Sequence, residues 1–85
     1  MSSSLTSSFI ACEKAIVECL YRFAQPMTER WIYDNLCCLY SKRLVHSALQ
    51  SLYRLNCLGV SNDKDWYLLN LNSVFVKHVI SELCA

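Results

Sequence analysis

The sequence is nearly without the two residues that punctuate loops: it has one glycine, Gly59, and one proline, Pro26. Loop-rich scaffolds are therefore excluded, and with them the usual reading of a cysteine-rich small chain as a disulfide framework. Charge is also scarce. Only 18% of residues are Asp, Glu, Lys or Arg, and the net charge is +1, so the chain cannot hold a polyanion by bulk charge; such binding needs a local patch. No apolar run approaches the ~20 residues that span a bilayer, which argues against a membrane segment. Residues 1–8 are polar and uncharged, with neither the basic start nor the apolar stretch of a signal peptide. With no secretory signal, Cys12, Cys19, Cys37, Cys38, Cys57 and Cys84 read as reduced thiols filling a core in a nuclear or cytoplasmic protein.

What the sequence has in abundance is apolar material. Hydrophobic residues make up 54% of 85 positions, more than one small core can hide, so part of it is expected in an interface with a protein partner or a second copy. After a Ser/Thr-rich stretch at 1–8, expected to be a disordered tail, helical spacing runs from about Phe9 to Ala24. Cys12, Ile16, Cys19, Leu20 and Phe23 fall on one side and the ladder Lys14, Glu18, Arg22 on the other; Val17 and Tyr21 lie off the core stripe. Pro26 ends that pattern, and 25–27 is a turn or a very short edge strand. Thr28 caps a second helix whose inner face is Ile32, Leu36, Leu39 and Tyr40, with Trp31 outward.

Ser41 caps a third helix, running to about Leu55, with the cleanest amphipathic pattern in the chain. Val45, Ala48, Leu49 and Leu52 face inward. Arg43, Ser47, Gln50 and Arg54 face outward, flanked by Lys42 and His46, and no acid occurs between Asp34 and Asp63. The period then changes: 58–60 and 66–69 are short β runs around the turn-rich 61–65, a hairpin. Asn72 or Ser73 opens a last helix with Phe75, Val76, Val79, Ile80 and Leu83 on one face. That helix either packs back on the first or mediates dimerisation.

Three helices followed by a two-stranded wing resemble a winged helix-turn-helix, with Ser41–Leu55 in the recognition-helix position. The expected fold is α+β and mostly helical, with the winged-helix part at 9–70 and an extra C-terminal helix at 71–85. The spacing from Val45 through Leu52 to Leu58, closed by Trp66-Tyr67, carries the resemblance. Two subfamilies are distantly similar. Binders of left-handed duplexes of the adenosine-deaminase type carry Lys, Asn and Tyr along that helix and a Trp in the wing. Lys42 and Trp66 match, while His46 and Gln50 stand at the Asn and Tyr positions. The C-terminal winged helix of the replication protein A middle subunit is similar across Ser41–Leu68, including Asn62-Asp63-Lys64-Asp65 in the wing. The first similarity implies duplex nucleic acid as ligand; the second implies helices of other proteins.

The residues themselves leave both open. Lys42 and Arg43 at the helix N-terminus, with His46, Ser47, Gln50, Arg54 and the wing's Lys64, are the candidate nucleic-acid contacts; a merely solvated face is the alternative. Asp63 and Asp65 beside Lys64 disfavour phosphate at the wing. Trp31, Trp66 and Tyr67 are the candidate protein contacts, with a partner helix lying between the wing and the first helix. No metal or other cofactor is expected: Cys37 and Cys38 are adjacent, and His46 and His78 lie in unrelated segments. Without a Gly-rich phosphate loop or paired carboxylates, neither catalysis nor a small-molecule substrate is expected.

Overall fold

In a computed structural model, the described residues are 2–36 and 39–84, with side chains described for 8–36 and 39–83. Among them the chain is α+β. The order is α1 (Ser2–Phe23), β1 (Met27–Thr28), α2 (Glu29–Leu36), α3 (Lys42–Arg54), β2 (Leu58–Val60), β3 (Asp65–Leu68) and α4 (Val74–Cys84). The three strands form one antiparallel sheet in the order β1-β3-β2, so β3 is central. Met27 and Val60 both stand opposite Trp66, one on each side.

The caps explain where the elements begin and end. Thr28 Oγ1 accepts from the Trp31 N–H at 3.2 Å and opens α2; Ser41 Oγ accepts from the Leu44 N–H at 3.2 Å and opens α3. The end of α3 is a Schellman turn. Asn56 takes the left-handed conformation at φ 61, its N–H bonds to the Tyr53 carbonyl and the Cys57 N–H reaches back to Leu52. Asparagine substitutes there for the glycine this chain so rarely uses. Ala24 closes α1 likewise at φ 53, its N–H on the Leu20 carbonyl at 3.0 Å. Lys64, at φ 64, completes the turn between β2 and β3, where its N–H bonds Ser61 O and the Asp65 N–H donates to Ser61 Oγ.

The core is built on α1, which packs against α3, α4 and α2. Ile16 and Leu20 of α1, Val45, Leu49 and Leu52 of α3, Met27, Leu58 and Trp66 of the sheet region, and Val76 and Val79 of α4 belong to one buried cluster. Cys12, Cys19 and Cys57 are buried free thiols within it. Cys37 and Cys38 lie outside the described residues, as does the side chain of Cys84. Among the described residues no helix is long and apolar enough to cross a membrane.

Four expectations need correction. Of the stretch expected as a tail, the backbone from Ser2 onward continues α1, since extending a nucleated helix needs no new nucleus. Val17 is fully buried whereas Phe23 is 45% exposed. Because α1 is covered on several sides its buried arc is wider than one stripe, and Phe23 falls in the last turn, where the helix leaves the core and meets Trp31. The second helix is described as far as Leu36, and the amides of Leu39 and Tyr40 both bond the Leu36 carbonyl. Leu39 is consequently 71% exposed and only Tyr40 packs on the core. Finally, the ladder on α1 is split: Arg22 pairs with Glu18 at 2.9 Å, but Lys14 reaches Glu82 of α4 at 3.8 Å. That contact accompanies the packing of the last helix back onto the first.

Candidate nucleic-acid interface

The inward face of α3 is fully buried at Val45, Ala48, Leu49 and Leu52, so its opposite face must project. Lys42, Arg43, His46, Ser47 and Arg54 are all exposed there and Gln50 is half-buried. Arg43, Ser47, Gln50 and Arg54 follow at intervals of four, three and four, which aligns them along one stripe. Neither Arg43 nor Arg54 takes part in an ion pair among the described residues.

The flank toward α2 is different. His46 Nδ1 lies 3.0 and 3.2 Å from the two carboxylate oxygens of Glu29, the first residue of α2. A carboxylate only accepts, so this nitrogen carries the proton. Lys42 borders a depression that also contains Glu29, Asp34, Arg30 and Tyr33. The acid-free run along the sequence is therefore not acid-free in space: α2 brings Glu29 and Asp34 to the side where Lys42 and His46 stand. Lys64 is exposed but sits on the turn between β2 and β3, apart from the stripe.

Toward α1 the stripe is walled. Phe9 and Ser51 join His46, Ser47, Gln50 and Arg54 around a groove of about 420 Å³. One turn further along α1 is Glu13, only 7% exposed. Burial raises its carboxyl above the ordinary value, partly opposed by a hydrogen bond from Ser51. Glu13, Phe9 and Ser51 escaped the sequence reading, although one signal existed: positions 9, 13, 16 and 20 share a helix face, so Glu13 is an acid in an apolar stripe. Glu13 also acts on its neighbour. Burial first, and then this carboxylate, push the Cys12 thiol to about 11, and burial raises Cys19 as well. Neither thiol ionises appreciably at neutral pH. Among the described residues no group of three or more His, Cys, Asp or Glu is placed to hold a metal ion.

The three aromatic residues expected at a protein interface part company. Trp66 is 7% exposed, edge-on to Tyr53 at 6.1 Å; as the central strand's inward residue it belongs to the core and offers little surface to a partner. Trp31 is 44% exposed and tilted against Phe23 at 6.2 Å. Tyr67 is half-buried, its ring lying over Gly59, where a Cβ would stand 2.5 Å from the ring and require the ring to move. Beside Tyr67, a mostly apolar groove of about 310 Å³ runs between β3 and the end of α1, lined by Leu20, Tyr21, Pro26, Leu68 and Leu71.

Compared with models of protein families, with curated proteins and with solved structures, the chain matches none of them.

Proposed function

We propose that the chain is a winged-helix binding module that contacts duplex nucleic acid through the outward face of α3, without catalysis. The order of three helices and a hairpin, with α3 capped directly after a short connection from α2, supports the winged-helix reading. One observation carries the ligand. Arg43 and Arg54 bracket Ser47 and Gln50 on a single exposed stripe, and neither guanidinium is neutralised by a described partner. Arginines at the two ends of such a stripe suit backbone phosphates, while a glutamine between them suits the edge of adenine. The flank toward Glu29 is less favourable, so Lys42 and His46 contribute less than Arg43 and Arg54, and Lys64 less again. The experiment is charge reversal: Arg43→Glu with Arg54→Glu strongly weakens binding of a mixed-sequence duplex, while Lys64→Glu leaves most of it. Equal binding by the double variant and the parent protein would refute the assignment.

The second reading, a protein-interaction winged helix, rests on the apolar groove beside Tyr67. It moves the contact from Trp66 to Tyr67, Tyr21 and Leu71. If the partner is a second copy, sedimentation shows concentration-dependent association that Leu71→Asp removes; a monomer at every concentration rules that form out.

A further inference from the structure

A helix that reads a duplex needs only side chains that protrude, yet the stripe on α3 is bounded by a wall. Phe9 of α1, half-buried and packed on the core, lines one groove together with Gln50 and Arg54, and Ser47, Ser51 and His46 complete it. Its volume of about 420 Å³ falls within the roughly 300–1,000 Å³ of clefts that enclose small ligands. Three kinds of group meet there: an aromatic ring, a carboxamide that both donates and accepts, and a guanidinium. We propose that this groove seats one unpaired nucleotide at the end of a bound duplex, its base against Phe9, its edge at Gln50 and its phosphate at Arg54. The inference rests on the reading of α3 as a nucleic-acid face and adds the ligand's form: a duplex with a protruding base.

The chemistry favours a nucleotide over a free anion or an apolar ligand. A free phosphate would use Arg54 and leave Phe9 idle; an apolar ligand would leave Gln50 and Arg54 uncompensated. A base on an aromatic ring, with its phosphate on a nearby guanidinium, uses all three, and stacking tolerates any base because each has a π-face. Ser51 is engaged from beneath by Glu13.

The test compares three ligands by fluorescence anisotropy with the unmodified chain: a blunt duplex, the same duplex with a one-nucleotide overhang on either strand, and that overhang made abasic. The overhang is expected to tighten binding about fivefold or more, in line with one base stacked on an aromatic side chain. The abasic form returns to the blunt value, as does the full overhang with Phe9→Leu, whose fold is checked by circular dichroism. Equal affinity for overhang and blunt duplexes overturns this site while leaving duplex binding by α3 intact, and so does an abasic overhang that binds as well as the complete one. Failure of all three ligands to bind removes the α3 reading itself, and the nucleotide site with it.

Discussion

Glu29 and His46 are joined across two helices: the carboxylate that opens α2 accepts a hydrogen bond from the imidazole in the second turn of α3, at 3.0 Å. This contact joins the two helices at the side of the proposed interface, and it also puts a negative charge beside the surface proposed to meet phosphates. Function and stability therefore pull on Glu29 in opposite directions. Glu29→Gln lowers stability by about 0.3–1 kcal/mol, because an acid in the first turn favours the helix dipole, yet duplex affinity rises several-fold as the repulsion goes. Thermal unfolding and a duplex titration on the same variant check both signs; weaker duplex binding by Glu29→Gln would count against the placement of the interface.

Glu13 gives the chain a pH dependence. Burial raises its folded carboxyl above the ordinary value of 4.5, so the folded state keeps a proton that the unfolded chain has lost. Stability then falls as pH rises from about 4.5 through the raised folded value, because the native state binds more protons over that window. Glu13→Gln keeps a hydrogen-bonding partner for Ser51 and removes the charge. The variant is expected to be more stable than the parent at pH 7 and to match it more closely near pH 4; urea unfolding at the two pH values reads this. An unchanged difference between parent and variant across the window would mean that Glu13 does not titrate as its burial implies.

The Schellman turn after α3 sets the angle at which the hairpin leaves the helix. At φ 61 Asn56 is tolerated and glycine is better. Asn56→Gly is therefore neutral or slightly stabilising, whereas Asn56→Val, β-branched in a left-handed conformation, costs about 1–3 kcal/mol. Chemical denaturation of the two variants distinguishes them, and equal stability would contradict the turn.

Much of this architecture was legible in the sequence. Ser41, Thr28 and the spacing of Val45, Ala48, Leu49 and Leu52 announce α2 and α3 because capping and amphipathic period are local properties. The hairpin follows from the clustered turn residues at 61–65. What could not be read is what depends on the other elements. Val17 is buried because α1 is covered on several sides, and Trp66 is buried because its face of β3 packs on the core, edge-on to Tyr53. Neither follows from a single stripe. The same holds for the site. The stripe Arg43, Ser47, Gln50, Arg54 is a property of one helix, but Phe9 and Glu29 enter only once α1 and α2 are packed against it. The absence of acids between Asp34 and Asp63 was misleading for that reason: the acid beside His46 comes from position 29.

The most direct test of the central claim is the salt dependence of duplex binding, measured for the parent chain and for Arg43→Glu with Arg54→Glu. If Arg43, Arg54 and Lys42 each neutralise a phosphate, log K falls against log salt with a slope of about −2 to −3. The double variant should bind far more weakly, with a slope close to that expected of Lys42 alone. A parent chain whose binding does not change with salt, or whose slope the two reversals leave untouched, would contradict the assignment of α3 as a nucleic-acid face.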